Sequence, residues 1–198
     1  RYYKFLYTDF LRSVDRDSLY ISAGGDNYSY NNNIWLNCLN TEINQNGGKT
    51  ILLGCSMLEN ISDLSMIKDL SNYSAIIARE SISYNALKQA GVDSDIYCLP
   101  DPAFILRTKE CKLPEGFIPG NTVGINISPM IIEREQSEGA VMNNYFFLID
   151  YLLKNTNYNI ALIPHVVWSY TDDRNPLSEI FNKYRNTKRV LLISDHNA

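Results

Sequence analysis

The chain has 198 residues, of which 45% are hydrophobic and 20% are charged, and its formal net charge is −4 at pH 7. A chain of this length and apolar content is expected to bury a packed core, which excludes a wholly disordered segment. Its 18 Lys and Arg residues against 22 Asp and Glu residues leave no basic surplus for a phosphate backbone, so no nucleic-acid partner is predicted. No apolar run approaches the roughly 20 residues that span a bilayer, so no transmembrane segment is predicted either.

Short apolar runs alternate with longer amphipathic runs along the chain, a pattern typical of βα units around a mainly parallel sheet. The predicted strands cover residues 19–23, 50–54, 75–78, 96–99, 123–128, 159–164 and 189–194. The predicted helices cover residues 33–45, 62–70, 81–90, 140–154 and 176–185. A further helical period runs from Tyr2 to Val14 without an initiator Met or a signal peptide, and few residues follow the last strand. We therefore expect the chain to be cut from a longer protein at both ends.

Residues 109–121 interrupt the alternation, because they carry two prolines and two glycines and few strand or helix formers. We interpret them as a linker between two doubly wound, Rossmann-like α/β domains, each incomplete in this chain. The predicted domains cover residues 1–118 and 119–198. The alternative is a single sheet with one long loop.

Ligands bind outside the carboxyl ends of the strands in open α/β sheets, so the residues that follow each strand are the candidates for a site. Gly24 and Gly25 follow the first predicted strand, with Asp26 and Asn27 behind them. Two glycines allow the backbone to approach an anion closely, and residues 54–56 (Gly-Cys-Ser) repeat this geometry on a smaller scale after the second strand. No dinucleotide-binding or Walker pattern is present, and a Gly-Gly pair alone is more often an ordinary turn than an anion site.

Arg79 closes the third predicted strand. It is either a surface terminus or a planar fork for a carboxylate or phosphate, in which case Glu80 would orient it. Ser81 is the predicted N-cap of the next helix. Asp101 and Pro102 follow the fourth strand and are interpreted as a turn that the proline fixes.

His165 stands at the carboxyl end of the predicted strand 159–164, in a chain with only two histidines. An imidazole there can serve as a general acid or pair with a phosphate, or it can be a hydrogen-bonded structural residue. Asp172 and Asp173 follow shortly and are interpreted as the start of the next helix. Four widely spaced cysteines without a Cys-x-x-Cys pair predict no metal site, no disulfide framework and a reducing, cytoplasmic compartment.

Taken together, these strand ends resemble the polysaccharide pyruvyl transferase family. The resemblance covers nearly the whole chain and rests on residues 21–27 (ISAGGDN), 76–83 (IIARESIS) with Leu87 and Gly91 downstream, 99–104 (LPDPAF), 123–128 (VGINIS) and 162–165 (LIPH). The Arg-acid-x-x-Ser element followed by Asp-Pro-Ala is its most specific part. The chain departs from the family pattern at both ends. The Arg-x-His element found further along the second domain would lie beyond its last residue, and the initial strand and glycine-bearing loop of the first domain are missing as well.

The resemblance implies a glycosyltransferase-B-like pair of Rossmann-like domains with the active site in the cleft between them. It implies transfer of the enolpyruvyl group of phosphoenolpyruvate onto two hydroxyls of a sugar, which gives a pyruvate ketal and releases phosphate. The enzyme would be bacterial and cytoplasmic, would act in exopolysaccharide biosynthesis, and would work at the inner face of the membrane where its acceptor is lipid-linked. No cofactor and no metal are implied, and this segment alone is expected to have little activity.

The same resemblance suggests roles for individual residues. Arg79 would hold the anionic charge of the donor, and His165 would act as the acid or as the partner of the phosphate. The expected substrate-binding residues are Gly24, Gly25, Asp26, Asn27, Glu80, Asn126 and Ser128, of which the two glycines and Asp26 would line the acceptor side.

Two other functions remain open at this point. One is a glycosyltransferase of the same architecture that uses a nucleotide sugar. The other is a non-catalytic sugar-binding or partner-binding module. Tyr28, Tyr30 and Tyr170 favour the module slightly, because aromatic rings near the predicted site can stack on sugar rings, although rings at such positions are more often part of the core.

Overall fold

The computed structural model describes residues 2–29, 33–110 and 112–194. These residues form a mixed α/β protein with two parallel sheets, as the alternation of apolar runs predicts. The chain divides into two compact units, one ending at Thr108 and the other beginning at Lys109. The division coincides with the start of the segment interpreted as a linker. Within the described residues, no helix combines the length and the apolarity needed to cross a bilayer.

The first unit alternates helices and strands around one sheet. Its elements are α1 (Tyr2–Leu6), α2 (Thr8–Arg12), β1 (Leu19–Ala23), α3 (Ile34–Gln45), β2 (Lys49–Cys55), α4 (Leu64–Leu70), β3 (Ala75–Ala78), α5 (Ser81–Gln89) and β4 (Asp95–Cys98). The strands pair in parallel in the order β1-β2-β3-β4, so their carboxyl ends lie along one edge of the sheet. All of the strands predicted in this unit are confirmed to within one residue at each end.

The core of the first unit lies between this sheet and its helices. Leu52 on β2, Ile76 on β3, Leu70 at the end of α4 and Leu87 on α5 are fully buried. Each buried aliphatic side chain of this size contributes about 1.5–3 kcal/mol relative to an exposed one. This packing holds the sheet rigid and so fixes where the loops at its carboxyl edge begin.

The second unit has a smaller sheet and a short hairpin. Its elements are β5 (Thr122–Ile125), α6 (Pro129–Glu133), α7 (Ala140–Asn155), β6 (Asn159–Leu162), β7 (Val167–Trp168), β8 (Thr171–Asp172), α8 (Arg174–Tyr184) and β9 (Val190–Leu192). β5, β6 and β9 pair in parallel in that order, and β7 pairs with β8 in antiparallel fashion. Ile149 of α7, Ile160 of β6 and Leu177 of α8 are fully buried in its core.

The strands of the second unit are shorter than predicted. The predicted strands 123–128, 159–164 and 189–194 end at Ile125, Leu162 and Leu192 instead. Pro164 helps to end β6, because proline has no N–H group to donate to the ladder. The residues that the sequence assigned to the ends of these strands therefore lie in loops at the carboxyl edge of the sheet.

Two elements of the second unit were not predicted, and one helix begins earlier than expected. Helix α6 starts directly after Ser128, whose Oγ accepts a hydrogen bond from the Met130 N–H group, with Pro129 in the first turn. The strands of the β7–β8 hairpin have two residues each, too few to produce a periodic signal. Helix α8 begins at Arg174 rather than at Pro176.

Candidate functional site

The carboxyl edge of the first sheet brings together three loops that the sequence placed after separate strands. The N–H group of Ser56, after β2, donates to the carbonyl of Gly25, after β1, at 2.6 Å. The N–H group of Arg79, after β3, donates to the carbonyl of Cys55 at 3.1 Å. Backbone hydrogen bonds between the loops thus continue the sheet and hold the residues that follow each strand in a fixed register.

Arg79 is held by side chains from the other loops at this edge. Its Nε donates to Ser56 Oγ at 2.8 Å, its Nη1 to Asp101 Oδ2 at 3.1 Å and its Nη2 to Asp26 Oδ1 at 3.3 Å. The side chain is 32% exposed. A guanidinium carries five N–H groups, so with three engaged two remain for a ligand as far as the described residues go. Arg79 is therefore a fixed, half-buried cation rather than a loose surface terminus.

Gly25 makes this position of Arg79 possible. A Cβ atom at residue 25 would lie 2.1 Å from Nη1 of Arg79 and 2.4 Å from its Cζ. Gly24 has φ +141°, a conformation that residues with a side chain rarely adopt. The two glycines therefore do more than make a turn, because the guanidinium lies directly against the backbone of the second one.

Asn27 and Tyr28 anchor the loop that carries Asp26. Asn27 Nδ2 donates to Ser22 Oγ at 3.1 Å. Tyr28 is 1% exposed, and its hydroxyl donates to Asp69 Oδ2 at 2.6 Å and lies 3.0 Å from the Tyr73 hydroxyl. The suggestion that the ring of Tyr28 stacks on a sugar is therefore wrong, because the ring is part of the core. Tyr30, named with it, lies outside the described residues.

Asp69 is a buried carboxyl group at the other end of this anchor. It is 2% exposed, and its Oδ1 accepts from Asn40 Nδ2 at 2.9 Å. Burial raises the pKa of Asp69, although its hydrogen bonds from Tyr28 and Asn40 oppose that rise. Asp69 carries no local sign of burial in the sequence, because it is a polar residue inside an amphipathic helix.

The two carboxylates that flank Arg79 are held differently. Asp101 is 30% exposed, its Oδ1 accepts from the Ala103 N–H at 2.9 Å, and it caps the 3₁₀ turn Pro102–Ile105. The hydrogen bond from Ala103, followed by the one from Arg79, lowers the pKa of Asp101. The carboxylate of Asp26 is 60% exposed and has the longer contact with Arg79. Asp101 is thus the fixed partner of the arginine, and Asp26 is the partner that can most easily be exchanged. The predicted turn at Asp101 is confirmed, but its contact with Arg79 was missed.

Glu80 is the N-cap of α5, so the prediction of Ser81 as the cap is wrong. Its carboxylate accepts from the N–H groups of Ile82 at 2.6 Å and Ser83 at 3.0 Å, and from the Ser83 hydroxyl. Although partial burial opposes ionisation, these hydrogen bonds lower the pKa of Glu80 overall. The expectation that Glu80 orients Arg79 is also wrong, because the arginine's described side-chain partners lie in other loops. A contact of Glu80 with substrate stays a prediction.

An open depression of about 550 Å³ lies beside the guanidinium. It is lined by Arg79, Glu80, Cys98, Leu99, Pro100, Asp101 and Phe104. This volume lies within the range of small-molecule sites, and the cation at its wall suits an anionic ligand. Another cavity, of about 440 Å³ near β1 and α3, has no charged side chain in its wall, so we assign the anion to the depression at Arg79.

Three residues at the carboxyl edge of the second sheet are joined by Asp173. Its Oδ2 accepts from the N–H groups of His165 and Val166 and from Asn126 Nδ2, each at 2.9 Å. Asp173 is 1% exposed, and its Oδ1 has no hydrogen-bond partner among the described residues. Although Asp173 precedes α8, it makes no capping hydrogen bond, so its interpretation as a simple helix start misses its main contacts.

The predicted site residues of this unit thus lie close together. His165 and Asn126 are exposed and share one carboxylate, and Ser128 follows Asn126 by two residues at the head of α6. Tyr170, the last of the three tyrosines, is 78% exposed on the β7–β8 turn. The catalytic and binding roles of these residues stay predictions.

Three of the four cysteines lie among the described residues. Cys38, Cys55 and Cys98 are free thiols, and no group of three His, Cys, Asp or Glu side chains gathers there to hold a metal ion. Burial raises the pKa of the Cys55 thiol to about 12, which leaves it protonated at neutral pH. Cys111 lies outside the described residues.

In a comparison with known protein families, one family model matches a stretch of the chain that includes all of the site residues described above. A family model described as polysaccharide pyruvyl transferase matches residues 1–193. No curated protein matches the chain with significance.

Proposed function

Because the chain belongs to the polysaccharide pyruvyl transferase family, we propose that it transfers the enolpyruvyl group of phosphoenolpyruvate to a sugar of a polysaccharide or of its precursor. The observation that supports this proposal most is Arg79, a cation held by three side chains beside an open depression. The glycosyltransferase-B-like pairing of the two units, the bacterial cytoplasmic setting and a lipid-linked acceptor remain predictions from the same resemblance.

The reaction requires one proton donor and two sugar hydroxyls. Protonation of the methylene carbon of phosphoenolpyruvate makes its enol carbon electrophilic, and the two hydroxyl oxygens form new bonds to that carbon while the bond to the phosphate oxygen breaks. The two hydroxyls lose two protons in total. One proton is accounted for by the conversion of the methylene group to a methyl group, and the other leaves on the hydrogen phosphate. No redox step occurs, so the residues need only position the reactants, stabilise charge and move protons.

Arg79 binds the anionic charge of the donor in this proposal. Ser56 and Asp101 keep the guanidinium in place, and its two remaining N–H groups point to a role as a fork for a carboxylate or phosphate. The donor then competes with Asp26 for Arg79. Because Asp26 is the more exposed of the two carboxylates, it yields first, and the freed carboxylate can accept a proton from a sugar hydroxyl.

His165 supplies the proton or pairs with the leaving phosphate. Its backbone N–H donates to Asp173, which fixes the chain at this point and leaves the imidazole at the surface of the unit. Asn126, tied to the same carboxylate, is the neighbouring candidate for a substrate contact. Gly24, Gly25 and Asn27 then serve mainly to shape the loop that presents Asp26.

The first test is ligand binding to the intact protein. Its melting temperature is measured alone, with millimolar phosphoenolpyruvate and with a panel of nucleotide sugars, because a ligand at 100 times its Kd adds about 2.7 kcal/mol of stability. Stabilisation by phosphoenolpyruvate, absent in Arg79→Ala but kept in Arg12→Ala, supports the proposal. Arg12 is the matched control because it is an exposed arginine away from the depression. Stabilisation by a nucleotide sugar alone would contradict the proposal and indicate glycosyl transfer.

The second test is the reaction itself. Release of phosphate from phosphoenolpyruvate is followed with candidate sugar acceptors, and the product is examined by mass spectrometry for the added pyruvate ketal. The proposal expects phosphate release to require both reactants. Phosphate release that does not depend on a sugar would contradict pyruvyl transfer.

A further inference from the structure

The β7–β8 hairpin is a short, well-braced projection that the proposed mechanism does not use. Val167 pairs with Asp172 and Trp168 with Thr171. At its base the N–H group of Asp173 donates to the Val166 carbonyl at 2.8 Å. Because both strands are tied at their base, the side chains at its tip have a defined position.

The end of the hairpin is also fixed to neighbouring elements. The guanidinium of Arg174 binds the carboxylate of Asp172 through Nε at 2.9 Å and through Nη2 at 2.6 Å. This pairing offsets the charge of the last hairpin residue with the first residue of α8. β8 also contacts α6, the helix that Ser128 caps. The hairpin, which follows β6, therefore contacts the helix that follows β5.

Two large aromatic side chains project from this hairpin. Trp168 is 60% exposed and Tyr170 is 78% exposed. Their ring centroids are 5.6 Å apart and their planes meet at 43°. Neither ring contributes to the buried core of the unit, so the core does not explain why they are aromatic. Adjacent exposed aromatic rings on a rigid element are typical of a binding surface.

The chemistry of this pair suits a carbohydrate. An aromatic face packs against the C–H face of a sugar ring, and the indole N–H and the phenol hydroxyl can still bond to sugar hydroxyls. The charges of Asp172 and Arg174 offset each other at the junction of the hairpin and α8. Trp168 follows His165 by only three residues in the sequence, so the hairpin begins directly after the residue proposed to act on the substrate.

We propose that Trp168 and Tyr170 form a stacking platform for sugar rings of the acceptor. The proposal rests on pyruvyl transfer to a polysaccharide and adds residues that bind the acceptor beyond its two reacting hydroxyls. It predicts that the platform affects acceptor binding and leaves donor binding unchanged.

Tryptophan fluorescence tests binding without requiring activity. The chain has two tryptophans, Trp35 and Trp168. In the intact protein with Trp35→Phe and with any tryptophan outside these 198 residues replaced, the emission reports on Trp168 alone. The probes are the methyl glycosides of glucose, galactose, mannose, N-acetylglucosamine and N-acetylmannosamine and their disaccharides. We expect saturable emission changes with at least one probe and stronger binding of its disaccharide. Tyr170→Ala should weaken that binding about tenfold, the usual scale of one aromatic contact.

Steady-state kinetics tests the same platform in the reaction. Trp168→Ala and Tyr170→Ala should each raise the KM for the acceptor about tenfold with little change in the KM for phosphoenolpyruvate, whereas Trp168→Phe should keep most of the affinity. The matched control is Tyr151→Ala, which removes a tyrosine that is 56% exposed on α7. Melting temperatures of all variants confirm that they are folded.

Three results would overturn the proposal. The first is no emission change with any probe, and the second is an unchanged acceptor KM in both alanine variants. The third is a change of oligomeric state in those variants by light scattering, which would identify a protein interface. If sugars change the Trp168 emission but phosphoenolpyruvate never releases phosphate, the platform stands and the proposed pyruvyl transfer fails.

Discussion

The guanidinium of Arg79 lies against the backbone of Gly25, so closely that a Cβ atom at residue 25 would be 2.1 Å from Nη1. These residues come from the ends of different strands, β1 and β3. The glycine provides the space, and Ser56, Asp101 and Asp26 provide the hydrogen bonds. The position of the proposed donor-binding cation therefore depends on the absence of a side chain at residue 25, which is distant from Arg79 in the sequence.

Gly25→Ala should displace the guanidinium while the fold is kept, because the atom it meets is the far end of a flexible side chain. Gly25 is not among the glycines with positive φ, so the alanine adds no strain of that kind. We expect kcat/KM for phosphoenolpyruvate to fall about a hundredfold, the scale of a 1 Å misplacement. The control is Gly124→Ala, where the new Cβ lies 3.2 Å from a terminal atom of Ile163. Equal activity of the two variants would contradict this role of Gly25.

Asp101→Asn and Asp26→Asn should have opposite effects on donor binding. Asp101→Asn keeps a good capping side chain but loses the ion pair that fixes Arg79, so the KM for phosphoenolpyruvate should rise about tenfold. Asp26→Asn removes the competitor for the guanidinium, so the same KM should stay or fall while the KM for the acceptor rises. Steady-state kinetics with each reactant varied in turn measures both. A higher KM for phosphoenolpyruvate in Asp26→Asn would contradict the exchange of Asp26 for the donor.

Glu80→Ala should destabilise the protein by about 1 kcal/mol at neutral pH, because the variant loses the N-cap of α5. The pKa of Glu80 is lowered in the folded state from the ordinary value of 4.5, so its ionised form stabilises the fold above that value. This contribution is lost as the pH falls through the lowered pKa. Glu80→Gln has no ionisable group at this position and serves as the second variant. In urea unfolding, the free energy of unfolding of wild type should therefore differ less from that of Glu80→Gln near pH 3 than at pH 7. An equal difference at both would contradict capping by the carboxylate.

Asp173→Ala should destabilise the second unit more than Asp173→Asn. The alanine removes the acceptor of the His165 and Val166 N–H groups and one of the two acceptors of the Asn126 amide, and a hydrogen bond to a charged group contributes about 1.5–3 kcal/mol. The asparagine can keep an oxygen at the Oδ2 position and places its NH₂ group where Oδ1 has no partner. Both should lower kcat, because His165 loses part of its support. Thermal unfolding and kinetics check this order, and equal stability of the two variants would contradict it.

The buried carboxyl of Asp69 should make the protein relatively more stable at low pH. Burial raises its pKa in the folded state above the ordinary 3.8, so its contribution is fully present below that value and is lost as the pH rises through the raised pKa. The stability of wild type minus that of Asp69→Asn should therefore decrease as the pH rises from below 3.8 to 7. Urea titrations of both proteins across this range measure the difference. A difference that increases with pH would show that Asp69 is stabilised as the carboxylate.

Local patterns predicted most of the fold. The strands of the first unit follow from apolar runs of four to seven residues, and the helices between them follow from an apolar period and from stop signals such as Gly47, which has a positive φ. The second unit was predicted less well at the ends of its strands. An apolar run does not show where a ladder ends, so Asn126 and Ser128 were assigned to a strand although they lie in the loop beyond β5.

The sequence alone indicated which residues stand at the carboxyl ends of parallel strands, because apolar periods, glycines and prolines act within a few residues of themselves. It did not reveal the partners of those residues. Arg79 meets Asp26 across 53 positions, and Asn126 meets Asp173 across 47. Such contacts are set by the order and register of the strands, which bring distant loops to one edge of a sheet. The tertiary structure therefore decided that Asp101 rather than Glu80 orients Arg79 and that Asp173 holds His165.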